Sequence, residues 1–239
     1  MIVHTLPAAA FGTNCYVLAQ AAGADCIIVD PGIGVADRVA EVLRQEGLSP
    51  AAILLTHGHL DHVYDVPILS AAGAVTTHIH GLDRYRLANP LGDLDRSFIA
   101  MMEAQFGTTA TWREPEAVVE LATDSAAESF VRVADLTLGV KHAPGHTEGS
   151  VLFTVDDLPD DPRHRDGGLD RTVLSGDVLF AGSIGRTDLP GGDSGAMIQS
   201  LRDVVMPLAD SALVLPGHGP ATTMAIERRS NPYLQRPLL

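Results

Sequence analysis

Apolar residues recur along this chain in two rhythms, one of strands and one of helices. Near the N-terminus, short runs dominated by Val, Ile, Leu, Ala and Cys predict strands over residues 1–6, 14–20 and 25–30. Val35, Val39, Val42 and Leu43 then fall at helical spacing, with Asp37, Arg38, Glu41 and Arg44 on the other face, until Gly47 stops the helix. A fourth strand follows at 51–55, then a short helix at 66–72 ended by Gly73, then a strand at 75–79. Residues 81–115 break the pattern. There Phe98, Met101, Met102 and Phe106 share one helical face, which either packs on the sheets or caps one wall of a substrate pocket. Strands resume near Val118 and at 130–133, 136–140, 151–155, 172–174 and 212–215.

Between them, residues 156–171 are charged and Pro-rich and read as a solvated hairpin loop, with His164 exposed on it. No repeat or low-complexity linker interrupts the chain. A single domain over 1–239, with a helical insertion near 81–115, is expected.

The strands deliver chemistry at their ends. The apolar run 51–55 leads directly into Thr56-His57-Gly58-His59-Leu60-Asp61-His62, which places three of the ten histidines within six positions. Imidazole nitrogens and a carboxylate oxygen suit a borderline divalent ion such as zinc. In an extended segment His57 and His59 point to the same side and can grip one ion, while Asp61 and His62 can face a second. Three more candidates sit beside apolar strands: His146 in Pro144-Gly145-His146-Thr147, Asp177 in Ser175-Gly176-Asp177, and His218 in Pro216-Gly217-His218-Gly219. Any one alone would read as a turn or capping residue. With the opening motif they complete a two-metal set. His78 and His80 repeat the HxH spacing on a strand without a following carboxylate, and read as structural or surface residues.

Composition narrows the function. The net charge is −14, with one lysine (Lys141) beside fifteen arginines, which argues against a nucleic-acid partner. No apolar run reaches the length of a membrane span, and the first residues lack a basic signal-peptide region, so a cytoplasmic protein without membrane partners is expected. Cys15 and Cys26 lie in apolar stretches and read as buried free thiols.

With these residues in place, the chain resembles the metallo-β-lactamase superfamily nearly end to end. The resemblance implies an α/β fold, a four-layer αββα metallo-β-lactamase sandwich of two face-to-face sheets with helices on both outer sides. It implies two divalent metal ions, zinc first, with iron or manganese as alternatives. His57, His59 and His146 would take the first ion, and Asp61, His62 and His218 the second, with Asp177 bridging. Asp30, in Val29-Asp30-Pro31-Gly32, matches a further Asp of the family, either orienting the metal loop or serving as a turn residue.

Two segments, 179–193 and 215–233, resemble the short bacterial glyoxalase II (hydroxyacylglutathione hydrolase-like) proteins. The resemblance implies hydrolysis of a small-molecule thioester by a hydroxide held between the metals and oriented by Asp61. The 21 residues after His218 are too few for the helical domain with which long forms hold glutathione. Arg186-Thr187-Asp188 also stands where long forms carry a Lys-Tyr pair. Arg186 and Asp188 therefore read as a loop-shaping ion pair, or as a direct substrate contact. The same fold and a Gly-Arg-Thr-Asp loop also occur in persulfide dioxygenases, where one iron would take His57, His146 and Asp177. An exported β-lactamase fits less well, and a non-catalytic relative would be expected to have lost ligands that this chain retains.

Overall fold

In the computed structural model, residues 1–71, 75–92, 97, 99–101, 104, 112–121, 129–165 and 167–235 are described. The apolar runs form two six-stranded sheets. In the first, β1 (Ile2–Pro7), β2 (Asn14–Ala19), β3 (Asp25–Val29), β4 (Ser49–Leu54), β5 (Thr76–His80) and β6 (Val118–Leu121) lie side by side in chain order. In the second, β7 (Ser129–Val133), β8 (Leu136–His142), β9 (Val151–Val155), β10 (Arg171–Gly176), β11 (Ala212–Pro216) and β12 (Thr222–Thr223) do the same. Strands β1 to β3 pair antiparallel and β3 to β6 parallel. Parallel neighbours need a crossover. The helices α1 (Ala36–Glu46) and α3 (Val66–Ala71) lie in the β3–β4 and β4–β5 connections, with α2 (Leu60–Val63) ahead of α3. Gly47 closes α1 with a left-handed φ of 68°, a conformation in which glycine carries no Cβ penalty.

Period-two alternation decides what each strand face touches. Leu18, Ile27, Val29 and Leu54 of the first sheet pack against Leu138, Val140, Phe153, Leu174 and Leu215 of the second. On the outer face of the first sheet, Val17, Ile28 and Ile53 meet Val39 and Val42 of α1 and Val66 and Leu69 of α3. On the outer face of the second, Leu152, Val173 and Val214 meet Met197, Leu201 and Met224 from C-terminal helical segments. The result is the expected helix–sheet–sheet–helix order, and strands buried on both faces explain the unbroken apolar runs in the sequence. Phe153 is fully buried between the sheets. Phe153→Ala is expected to lower stability by about 3–5 kcal/mol, measured by denaturant unfolding.

The helices Ser194–Ser200 and Met224–Ser230 were not foreseen. Seven residues display too few apolar positions for a helical period, and their ends are set by single side chains: Asp193 accepts from the amides of Gly195 and Ala196, and Thr223 from that of Ile226. The stretch 156–171 is less solvated than expected. Leu158 is buried, Pro162–Arg165 forms a helical turn, and the N-terminal amine of Met1 donates to Asp157 Oδ2 (3.2 Å) and Leu158 O (3.0 Å). His164 is half-buried there, not exposed.

His80 is buried and stacks on His142 across the two sheets, with ring centroids 4.2 Å apart. Cys15 and Cys26 are free and buried, and burial pushes the Cys26 thiol up to about 12. Of the proposed cap, Phe98, Met102 and Phe106 lie outside the described residues, and Met101 is exposed. Among the described residues no helix is long and apolar enough to cross a membrane.

Candidate metal centre

Strands β3 and β4 run parallel, as do β8, β10 and β11, the first of these three through two antiparallel steps. Their C-terminal ends therefore open onto one edge of the sandwich, and every candidate ligand follows such an end. Asp30 leaves β3, the HxHxDH turn leaves β4, His146 follows β8, Asp177 follows β10 and His218 follows β11.

The side chains converge in overlapping groups: His57, His59 and His146; His57, His62 and Asp177; and Asp61, His62 and His218. His59 Nδ1 lies 3.1 Å from His57 Nε2 and 2.9 Å from His146 Nε2. Four nitrogens at a zinc–nitrogen bond length on a tetrahedron would be separated by about 3.3 Å, so this packing suits one small cation. His218 Nε2 lies 3.3 Å from Asp61 Oδ2, and His62 Nε2 lies 3.7 Å from the same oxygen. Asp177 stands between the groups. Its Oδ1 is 3.3 Å from His62 Nε2, and its Oδ2 is 3.4 Å from His146 Nε2 and 3.5 Å from His218 Nε2.

Hydrogen bonds behind the rings determine which nitrogen faces the cluster. His146 Nδ1 donates to the backbone oxygen of Arg186 (2.8 Å), and His218 Nδ1 donates to that of Phe11 (3.2 Å). His62 Nδ1 donates to Asp30 Oδ2 (2.9 Å). The Thr56 hydroxyl donates to the same oxygen (2.6 Å) and accepts from His57 Nδ1 (3.1 Å), while the Thr56 amide donates to Asp30 Oδ1 (2.8 Å). Asp30 is thus both a turn residue, with a left-handed φ of 49°, and the carboxylate that holds the motif. Thr13 donates to Asp61 Oδ2 (2.9 Å).

The electrostatics call for positive charge. Burial, reinforced by neighbouring imidazoles, holds His57 well below the usual histidine range, and burial with His146 beside it brings His59 down to about 3. Both therefore present neutral lone pairs. Burial would also lower His62, but Asp177, Asp61 and Asp30 outweigh it and raise His62 well above its ordinary value. Asp177 Oδ1 is buried with no hydrogen-bond partner, 3.3 Å from His62 Nε2. A buried carboxylate oxygen left without a donor, among imidazole nitrogens, fits a cation at that place. The donor set of imidazole nitrogens and carboxylate oxygens fits divalent transition ions.

A cavity of about 590 Å³ opens over the cluster. Phe11, Leu60, Pro90, Leu189 and Pro190 supply apolar wall, and Arg86 and Arg186 supply charge. Arg186 and Asp188 pair bidentately within their exposed loop, at 2.7 and 2.8 Å. It is the backbone oxygen of Arg186, invisible to a reading by side chain, that contacts the cluster. Thr13, Asp83 and Arg86 were not anticipated either, since none belongs to a local motif.

Residues 8–160 match the Metallo-beta-lactamase superfamily. The chain belongs to that superfamily. A protein of Mycobacterium tuberculosis, described as uncharacterized, is 39% identical over 98% of each chain. The hydroxyacylglutathione hydrolase GloC of Haemophilus influenzae is 29% identical, again over 98% of each. Among solved structures, the BLEG-1 B3 metallo-beta-lactamase superposes with a TM-score of 0.75 at 31% identity, covering 98% of this chain and 100% of the other. A di-iron-bound form of TTHA1623 superposes with a TM-score of 0.69 at 31% identity and the same coverage. Members of the metallo-β-lactamase superfamily are mostly metal-dependent hydrolases and typically bind two metal ions.

Proposed function

We propose that the protein is a dinuclear metallohydrolase that cleaves a small-molecule thioester of the hydroxyacylglutathione type. The observation that carries the reading is Asp177, whose two oxygens reach nitrogens of both histidine groups. His57, His59 and His146 would hold one ion, Asp61, His62 and His218 the other, and Asp177 both. Zinc suits the donors, and the di-iron relative keeps iron in play. When bound, such a pair supplies a nucleophile at neutral pH by lowering the pKa of water, and a Lewis acid for the carbonyl.

The chain's own residues do the rest. Asp61 lines the cavity and orients the attacking water. The apolar wall from Phe11 to Pro190 holds the acyl and thiol portions and keeps bulk water off the carbonyl. A thiolate leaves without a general acid, because a thiol ionises near pH 8.5. The likeness to the Haemophilus hydrolase over the whole length supports this substrate class.

The test is metal analysis of the purified protein, paired with anaerobic hydrolysis of S-lactoylglutathione. Two equivalents of metal and thiol release without oxygen are expected. A single iron with oxygen uptake on a thiol persulfide would overturn the reading in favour of a dioxygenase, and cleavage of penicillins in place of thioesters would assign a lactamase.

A further inference from the structure

Asp83 ends a single 3-10 turn (Gly81–Asp83) and leads into α4 (Arg84–Ala88), away from every motif in the chain. It is fully buried. Among the described residues its carboxylate accepts three hydrogen bonds, all from the two loops that carry the first histidine group, and Arg86 Nε lies 3.6 Å from Oδ1. Oδ2 accepts from the amide of Gly58 (2.8 Å), the residue between His57 and His59. The same oxygen accepts from the hydroxyl of Thr147 (2.7 Å), the residue after His146. Oδ1 accepts from the amide of Gly149 (2.8 Å). Both glycines permit this approach: a Cβ on Gly149 would lie 2.7 Å from Asp83 Cγ, and one on Gly58 would lie 3.2 Å from Asp83 O.

We propose that Asp83 is the positioning residue of the first metal group, setting the separation between the His57–His59 loop and the His146 loop. The inference rests on the reading that these histidines hold an ion. It assigns Asp83 the part that Asp30 plays for His62 and Thr56, so that a buried carboxylate stands behind each group. One backbone hydrogen bond joins the two loops at their base, from the Val151 amide to Thr56 O (2.8 Å), and it lies too far from the rings to hold three nitrogens at about 3 Å by itself. A carboxylate receiving donors from both does so with little freedom, and only an acceptor at both oxygens will serve. Asparagine keeps the shape but turns an NH₂ toward one of the three donors.

The experiment measures metal affinity by competition with a chelator, in two backgrounds that each retain one ion. His218→Ala disables the second group and leaves an ion among His57, His59 and His146. His146→Ala does the converse. Asp83→Asn is expected to weaken the ion about 10- to 100-fold in the His218→Ala background and to leave it unchanged in the His146→Ala background. Thr147→Val, a milder change that removes one of the three donors, is expected to act in the same direction with a smaller factor. Melting temperatures of the metal-free proteins separate this from general loosening, which would weaken both ions alike. Equal affinities with and without Asp83→Asn, or equal weakening in both backgrounds, would overturn the inference alone. A wild-type protein that binds no divalent ion would overturn the two-metal reading, and this inference with it.

Discussion

Asp177→Ala is expected to empty both metal groups and to reduce turnover to background. Each remaining group would then consist of neutral imidazoles, with Asp61 as the one carboxylate left on the second. Asp177 lies between His62, His146 and His218 at 3.3–3.5 Å, so no other residue can supply a negative charge to both groups from one place. Its own pKa shows the coupling. Burial alone would raise it, but His62, and after it His146 and His218, pull it below the usual carboxylate range. Removing it takes away the largest of the three carboxylate interactions that raise His62, leaving Asp61 and Asp30 to work against its burial. Metal content by elemental analysis, before and after dialysis against a weak chelator, decides the matter. Retention of two tightly held equivalents would show that Asp177 is not the bridge.

Gly217→Ala is expected to be nearly as damaging, although it deletes nothing. A methyl at this position would overlap Asp177 Oδ1 and come within 2.8 Å of His62 Cε1. The backbone cannot retreat to make room. The Gly217 amide donates to Gly176 O (2.8 Å), and its own carbonyl accepts from the Asn14 amide (2.7 Å), which ties the β11 end to both neighbouring segments. The carboxylate must therefore swing away from the histidines. A loss of metal and at least a hundredfold fall in kcat/KM are expected, while the sandwich, whose core lies between the sheets, loses only about 1–3 kcal/mol by overpacking. Unchanged metal content in a folded variant would mean that the cluster tolerates displacement of Asp177.

Much of this molecule was legible along the chain. Buried strands announce themselves as apolar runs, and a helix such as Ala36–Glu46, with one buried stripe and a closing glycine, carries its period openly. The histidines and aspartates of the site were legible for a different reason. A loop at a strand end has few residue types to choose from if it is to hold an ion, and HxHxDH is a local pattern whose spacing places ligand atoms on one side. What the pattern could not show was the support behind them. Asp30 was ambiguous between a turn and an orienting carboxylate because both roles use the same residue, and the structure has it serving as both. Asp83 and Thr13 carry no local mark, because their partners lie 25 to 66 residues away in the chain. The short helices of the second half were missed because capping by one side chain, not periodicity, defines them.

The sequence by itself determined the strand and helix alternation and the identity of the candidate metal-ligating residue types, and the αββα layering came with the family resemblance that those residues carry. The first two depend on local hydrophobic period and on the chemistry of individual side chains. Only the tertiary structure decided which ring nitrogen faces the cluster, that a backbone carbonyl of Arg186 and another of Phe11 hold two of the histidines, and that Gly217 must lack a side chain. Those are facts of distance between segments remote in the chain, and no residue type encodes a distance until the sheets have packed.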